Sequence, residues 1–522
     1  MDLGRVLSWT AERYPAGRAV GGERSMTYAE WDVHTSRLAR ALAARGVGHG
    51  DRVVFLLAGG EPMASLHLAA QKLGAVSVPL SFRFGVDELA YCLSDAAPRL
   101  VVTDVSTVER ACEALQRTEP LPHAHVGEGA PAGVEELLGS AAAQPDGAID
   151  APVRDSDTSV MLYTSGTTGK PKGVPRTHRA EFYAAVAHLH QSRSAPFETT
   201  LGVMPMFHTM GLRTLLASVV SAGTWVPQVR FDAEESLELI TRERVSALYL
   251  VPTIYWSLLG TGRLGETGVR KLAYAGAAMT PALAERLVAE LEPEVLVNHF
   301  GSTEIYTFTI GPDVAAKPGC AGRPGVFTRV RLVDPHPRAT PDALVGAGEQ
   351  GQIAISMESP EAFTGYWNRP DADAKSIRGG WYFPGDLAVA DEDGDLWVSG
   401  RVDNMINSGG ENIYPDEIED ALIRCPEVAD VVVVGMPDDR WGQAVTAFFV
   451  PAAGLTPQDA AAALTGYIRS GAGLPPLKRP KRVVAVAEVP KSAVGKILRR
   501  ELTDGRFTPL AEVSAASIGS RK

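Results

Sequence analysis

Cysteine is scarce in this chain of 522 residues: there are four, at Cys92, Cys112, Cys320 and Cys425, and none has C-x-x-C spacing. That scatter argues against a disulfide framework and a cysteine-ligated zinc site, and it fits a reducing compartment. A basic surplus is missing too, since 50 Lys and Arg against 62 Asp and Glu leave a formal net charge of -12. Such a balance argues against a nucleic-acid-binding protein, although a local basic loop can still hold a small anion. No apolar run reaches the roughly 18 residues that cross a bilayer. Met1-Asp2-Leu3-Gly4-Arg5 lacks the apolar core of a signal peptide. The expectation is a cytoplasmic protein with no membrane contact.

What the chain does have is length. Its 522 residues exceed what one hydrophobic core organises, so two or more domains are expected. Residues 26–130 alternate two periodicities. Ala29 to Arg45 carries apolar residues at helical spacing, Arg52 to Leu57 reads as a buried strand, Ala64 to Leu73 as a helix, and Gly74 to Leu80 and Leu100 to Asp104 as strands. Strand–helix–strand alternation implies parallel sheets covered by helices. A Pro/Ala/Gly/Asp-rich stretch over 127–157 reads as a loose connection. Alternation resumes through Leu248 to Val251 and Lys271 to Tyr274. Gly351 to Ile355 and Leu396 to Val398 read as short strands of a small β-rich subdomain. Beyond Asp403 the pattern resets. Tyr414-Pro415-Asp416-Glu417 opens a helix with proline in its first turn and acids at its positive end. Strands follow at Val428 to Val434, Val445 to Val450 and Val483 to Val489. Residues beyond about 505 show little pattern. The reading is an α/β protein. Its large N-terminal domain, 1–402, holds parallel-rich sheets flanked by helices plus the β-rich subdomain, and a small mobile α+β domain spans 403–522.

Chemistry concentrates in the run from Tyr163 to Gly173, Y-T-S-G-T-T-G-K-P-K-G. Its glycines let backbone amides approach an anion closely, its hydroxyls add donors and its lysines add charge. This is not a Walker A loop, because only Thr167 and Thr168 separate Gly166 from Gly169 and Pro171 follows Lys170. Pro171 biases Lys170 away from the helical region, so the loop reads as a phosphate clamp rather than a helix N-terminus. An ordinary Gly/Thr-rich surface turn has the same composition. Asn298-His299-Phe300-Gly301-Ser302-Thr303-Glu304 follows the apolar run Val295 to Val297. A glycine turn with a hydroxyl and a carboxylate at a strand's C-terminal end is where open α/β sheets bind ligands, and a carboxylate near phosphates suits Mg²⁺. It also suits a capped turn. Gly385-Asp386, Gly400-Arg401-Val402-Asp403 and Gly495-Lys496 are weaker alone: a ribose contact or a turn cap, a strand end, a solvated lysine.

In this order the motifs resemble one family, the adenylate-forming superfamily of acyl- and aryl-CoA synthetases, adenylation domains and luciferases. The resemblance runs from about residue 8 to 503. It is carried by Y-T-S-G-T-T-G-K-P-K-G, F-G-S-T-E, Gly385-Asp386, G-R-V-D at 400–403, S-G-G-E-N-I-Y-P-D-E-I-E at 408–419, and Gly495-Lys496. Met204-Pro205-Met206-Phe207-His208, Asp439 to Gln443 and Lys478-Arg479-Pro480-Lys481-Arg482 look most like benzoate-type ligases such as chlorobenzoate-CoA ligase.

The resemblance implies ATP, Mg²⁺ and coenzyme A, and two half-reactions: a carboxylate attacks the α-phosphorus of ATP, then a thiol displaces AMP. It places the departing phosphates on Thr164, Ser165, Gly166, Thr167, Thr168, Gly169, Lys170 and Lys172. Gly276, Ala277, Asn298, Phe300, Gly301 and Ser302 complete the nucleotide site. Thr303 meets the α-phosphate, Glu304 holds the metal, Asp386 the ribose and Arg401 ribose and phosphate. Lys496 bridges carboxylate and phosphate in the transition state. Phe182, His208, Met210, Tyr249, Gly276, Ala277, Gly301, Ile305 and Tyr306 surround the acid. Their aromatic and small side chains suit a ring or another compact hydrophobic acid. His208 is also readable as a catalytic group or a packed core histidine. Asp403 is the hinge on which the small domain turns, withdrawing Lys496 and presenting Ser408, Gly409 and Gly410 to the adenylate. Trp441 would lie near the pantetheine arm. Arg479 and Lys481, with Lys478 and Arg482, would meet the 3′-phosphate of CoA, or form a solvated loop.

Three positions depart from the family pattern: Pro384 where Thr usually precedes Gly-Asp, Leu477 in place of an aromatic, and Val494 where Ser or Thr is common. The other readings are a stand-alone enzyme loading a carrier-protein thiol, a non-catalytic nucleotide-binding regulator and, more distantly, a luciferase-like oxygenase. The partners expected are a small carboxylic acid and CoA or a carrier protein, in a monomer or homodimer.

Overall fold

The computed structural model describes residues 2–164, 170–311, 313–408, 411–438, 441–470, 472–476, 478–491 and 497–514, with the backbone alone for Asp403, Asn407, Glu411 and Asn412. The chain divides into two compact units. The first comprises Met1–Arg331, Ala354–Tyr382 and Asp391–Trp397, and the second Leu332–Ile353, Phe383–Ala390 and Val398–Lys522.

The first unit is built on two large sheets. One has seven strands, in the order Glu135–Glu136, His123–Val126, Leu100–Asp104, Arg52–Leu56, Val76–Pro79, Thr158–Thr164 and Lys172–Thr177. Pairing is parallel except for the last two strands, which form an antiparallel hairpin at the edge. Pro175 sits in that edge strand, where its missing N–H costs no ladder bond. The other sheet has nine strands. Its parallel centre runs Val295–Phe300, Lys271–Tyr274, Ala247–Leu250, Thr199–Gly202 and Thr224–Pro227, with Arg18–Val20 parallel beyond and antiparallel strands at both edges. Parallel strands need covered faces. Here Leu3–Arg13, Tyr28–Ala44 and Gly60–Leu73 bury Leu7, Trp31, Leu38 and Leu66 in one core, while Pro252–Gly260 and Pro281–Leu291 bury Tyr255 and Leu287 in another.

The helix expected at Ala29 to Arg45 runs Tyr28–Ala44, set by a Thr27–Glu30 capping box. The stretch 127–157 is not wholly loose: Glu136 caps a short helix, Leu137–Ala142, by accepting from the amides of Leu138 and Gly139.

In the second unit Gly442–Pro451 pairs with Val428–Asp438, with Ile406–Ser408 and, in parallel, with Arg482–Ala485. Helices Pro415–Leu422 and Pro457–Arg469 bury Ile418 and Leu464 against Val433 and Phe449. Two expectations need correction. The last expected strand stops at Ala485. The region beyond 505 holds a strand, Ala511–Ser514, antiparallel to Arg482–Ala485. Its ends are a strand only because that partner supplies the ladder. No described helix is long and apolar enough to cross a membrane.

Candidate active site

The ends of the glycine–lysine run lie on the two strands of the edge hairpin, Thr158–Thr164 and Lys172–Thr177. Thr164 pairs with Lys172 and Tyr163 with Gly173, and strand, not helix, follows Pro171. Ser165, Gly166, Thr167, Thr168 and Gly169 lie outside the described residues. The Lys170 ammonium stands 5.0 Å over the Tyr91 ring, and that of Lys172 4.2 Å over the Tyr366 ring.

The second motif leaves the nine-stranded sheet. Asn298 and Phe300 are on strand Val295–Phe300, whose Asn298 pairs with Tyr274 at the end of the parallel neighbour. Gly276 and Ala277 follow that neighbour and are exposed. The two segments therefore emerge side by side at the carboxyl ends of adjacent parallel strands. Asn298 Nδ2 donates to the Cys320 carbonyl at 2.9 Å. Gly301 has no room for a side chain: a Cβ there would stand 2.2 Å from the Tyr306 carbonyl oxygen. The turn is closed by the Ser302 amide donating to the Ile305 carbonyl at 2.9 Å and the Glu304 amide to Ser302 Oγ at 3.2 Å.

Glu304 is buried, and its Oε1 accepts from Tyr366 Oη at 2.7 Å. Burial first, then the Glu304 charge, push the Tyr366 phenol well above its usual range. Lys172, Tyr366 and Glu304 thus form one chain of contacts from the hairpin to the turn. An anionic oxygen donor linked to a lysine of the glycine-rich run is chemistry that fits Mg²⁺.

The residues expected around an acid are placed less uniformly. Met210, Tyr249, Ile305 and Tyr306 are buried and Phe182 is half-buried. The Tyr249 ring lies 4.7 Å from that of His188 and 5.2 Å from that of His299. Burial lowers His188 to about 3. His208 precedes helix Thr209–Val220, packs 4.6 Å from the Phe207 ring, and is lowered by burial to about 4. It is neutral at physiological pH.

Sequence reasoning missed a buried polar network behind these residues. Arg176, on the strand after the loop, pairs with Glu181 and faces the Tyr306 ring at 3.6 Å. Arg213 donates to Thr307 Oγ1 and to Glu361 Oε2, the latter at 3.3 Å. Tyr306 Oη donates to Glu181 Oε2 at 3.2 Å. A charged residue inside a strand, with Glu181 five residues on, is the local signal; the carbonyls of Thr303, Glu304 and Glu361 that Arg176 reaches are far off in sequence.

In the second unit Asp386 and Arg401 meet: Arg401 Nη1 donates to Asp386 Oδ1 at 2.5 Å and Nη2 to the Pro384 carbonyl at 2.7 Å. Asp403 lies in the turn Val402–Asn404. Ser408 is buried and pairs with Gly442, while Gly409 and Gly410 lie outside the described residues. The Lys481 ammonium stands 5.7 Å over the Trp441 ring. Lys478 and Arg482 are engaged by Glu417 and Glu512, whereas Arg479 Nε and Lys481 Nζ donate to the carbonyls of Leu474 and Pro476. Lys496, Val494 and Leu477 are outside the described residues. Lys491 and Ile497, which flank the lysine loop, pair with each other.

Comparison with known proteins covers most of the chain. Residues 7–367 match the AMP-binding enzyme family and residues 417–496 the AMP-binding enzyme C-terminal domain. A 4-chlorobenzoate–CoA ligase of Arthrobacter is 32% identical over 96% of this chain and 94% of its own length. A fatty acid–[acyl-carrier-protein] ligase of Streptomyces coeruleorubidus is 32% identical over 96% of each. The structure of the Bacillus subtilis O-succinylbenzoate coenzyme A synthetase in complex with ATP and magnesium ion is 28% identical, covers 96% of this chain and 99% of its own, and has a TM-score of 0.82. With the strand-end turn, the glycine–lysine hairpin and both matched segments in place, this chain belongs to the AMP-binding enzyme family.

Proposed function

We propose that this protein is an ATP-dependent, AMP-forming acid–thiol ligase that converts a cyclic or aromatic carboxylic acid to an acyl adenylate and then to its CoA thioester. The observation that carries the reading is the buried Glu304 carboxylate, tied through Tyr366 to Lys172 at the base of the glycine–lysine hairpin. Two anions must meet in the first half-reaction, and this is where positive charge and a metal-binding carboxylate are placed together.

Thr164 to Lys172 bind the phosphates that leave as pyrophosphate, and Thr303 meets the α-phosphate. Glu304 would hold Mg²⁺, which when bound would supply charge neutralisation at the phosphates. Asp386 and Arg401, already paired, take the ribose. Lys496 contacts the oxygens on which charge develops. Beyond Asp403 the chain supplies Ser408, Gly409 and Gly410 for the thiol, with Trp441, Arg479 and Lys481 toward CoA. The acid lies against Phe182, His208, Met210 and Tyr249, near Gly276 and Gly301. A neutral His208 can accept or donate one hydrogen bond without adding charge. The four free thiols fit a cytoplasmic protein.

A carrier-protein thiol is the second reading, favoured by the similarity to the Streptomyces carrier-protein ligase. Incubation with ATP, Mg²⁺, a benzoate-type acid and either free CoA or an acyl carrier protein separates the two. Thioester on free CoA supports the proposal. Acylation of the carrier protein alone replaces CoA with the carrier, and adenylate discharged to neither thiol removes the ligase reading.

A further inference from the structure

We infer that Arg176 is a positioning residue for adenylate formation, its guanidinium anchoring the main chain of Thr303 and Glu304 to the strand that leaves the glycine–lysine hairpin. The inference rests on the ligase reading above. Arg176 lies four residues beyond Lys172 on strand Lys172–Thr177, and its side chain is fully buried. From there Nη1 reaches three main-chain oxygens: Thr303 at 3.1 Å, Glu304 at 3.1 Å and Glu361 at 2.9 Å. The Glu304 carbonyl also accepts from the Phe363 amide at 2.8 Å. The backbone that carries the metal-binding carboxylate is therefore held from two sides, and Tyr366 orients the carboxylate itself.

Packing alone does not call for a cation here. Removing a guanidinium from water costs several kcal/mol unless it is paired and fully hydrogen-bonded, and an apolar side chain of similar volume would fill the space at less cost. The chain instead partners Nε and Nη1 and leaves only Nη2 without a hydrogen-bond partner among the described residues. Glu181, itself fully buried, pairs with Nε, and the Tyr306 ring faces the guanidinium at 3.6 Å. Glu181 is in turn fixed by Tyr306 Oη at 3.2 Å. A guanidinium can span Glu181 on one side and the carbonyls on the other because its donors are a rigid fork; a lysine ammonium is a single point. Displacing a reacting group by about 1 Å costs on the order of 10²-fold in rate, so a fixed Thr303–Glu304 main chain bears directly on the first half-reaction.

The test compares wild type, Arg176→Lys and Glu181→Gln as full-length proteins. Acid-dependent ATP–pyrophosphate exchange is measured across a Mg²⁺ titration, thioester formation is measured from supplied acyl adenylate, and thermal unfolding reports folding. For Arg176→Lys the expected result is at least about tenfold slower exchange with a higher Mg²⁺ requirement, and thioester formation within about threefold of wild type. Glu181→Gln keeps an acceptor for Nε and should show the same split more weakly. Equal losses in both half-reactions, an unchanged Mg²⁺ requirement, or failure of both variants to fold would make Arg176 a fold-holding residue and overturn the inference. A wild type with no acid-dependent exchange would instead remove the ligase reading. A wild type that exchanges, beside variants that exchange equally well, would remove only the role of Arg176.

Discussion

Tyr366 Oη donates a 2.7 Å hydrogen bond to the buried Glu304 carboxylate. The same ring carries the Lys172 ammonium on its face at 4.2 Å, so one aromatic side chain couples the edge hairpin to the proposed metal ligand. Tyr366→Phe keeps the ring, its edge contact with Phe363 at 5.0 Å and the platform for Lys172, and removes the hydroxyl that donates to Glu304 and is also bonded by Tyr382 and Ser376. A hydrogen bond to a charged group is worth about 1.5–3 kcal/mol, which is roughly ten- to a hundredfold in rate. Pyrophosphate exchange should fall by that factor, and unchanged exchange would show that Glu304 needs no such partner.

Lys496 tests the division of labour between the half-reactions. A charge contact made only in the transition state is worth about 10²-fold or more. Lys496→Ala should lose that much in adenylate formation and retain most thioester formation from pre-made acyl adenylate. Equal loss in both would contradict a lysine that serves the first step alone.

The basic cluster gives a sharper thiol prediction than its composition alone. Glu417 and Glu512 engage Lys478 and Arg482, so Arg479 and Lys481 are the cations to test against the 3′-phosphate. Arg479→Ala and Lys481→Ala should raise the KM for CoA while leaving pyrophosphate exchange near wild type. Dephospho-CoA should lose its disadvantage in both variants, and the wild-type preference should weaken with salt. A KM for CoA that does not move would return these residues to a solvated surface.

Acid sensitivity has a specific source in helix Gly60–Leu73. His67 is fully buried, neither ring nitrogen has a hydrogen-bond partner among the described residues, and burial followed by repulsion from His178 lowers its pKa to about 3. Its folded pKa lies below the unfolded value of about 6.5. The unfolded chain therefore takes up a proton first, and stability is full above about pH 6.5 and is lost as pH falls from there toward about 3. His67→Met should raise Tm, and raise it more at pH 5 than at pH 7.5. An equal change at both pH values would show that His67 does not titrate on unfolding.

Much of this fold is legible in local periodicity, because its elements repeat a strand–helix unit. Lys271–Tyr274 is the strand the sequence indicates, and Pro171 biases Lys170 away from the helical region, in line with the strand that follows. The strand Ala511–Ser514 is not legible, since the alternation of Ala511 and Val513 with Glu512 and Ser514 is too short a run to stand out without its partner strand. The motif residues are legible as chemistry, whereas their supports are not. Arg176 reaches the Glu361 carbonyl and Tyr366 the Glu304 carboxylate across long sequence separations, so each contact exists only through long-range packing. Lys-Gly-Val-Pro-Arg-Thr reads as an ordinary edge strand until Glu181 and the Thr303 and Glu304 carbonyls are brought to it.

Acid-dependent exchange of labelled pyrophosphate into ATP tests the adenylation claim most directly. Wild-type protein with ATP and Mg²⁺ should exchange label only when a carboxylic acid is present, most strongly with benzoate-type acids. Adding CoA should then release AMP, never ADP, in step with thioester. Exchange that no acid in a broad panel stimulates, or ADP in place of AMP, would contradict the account.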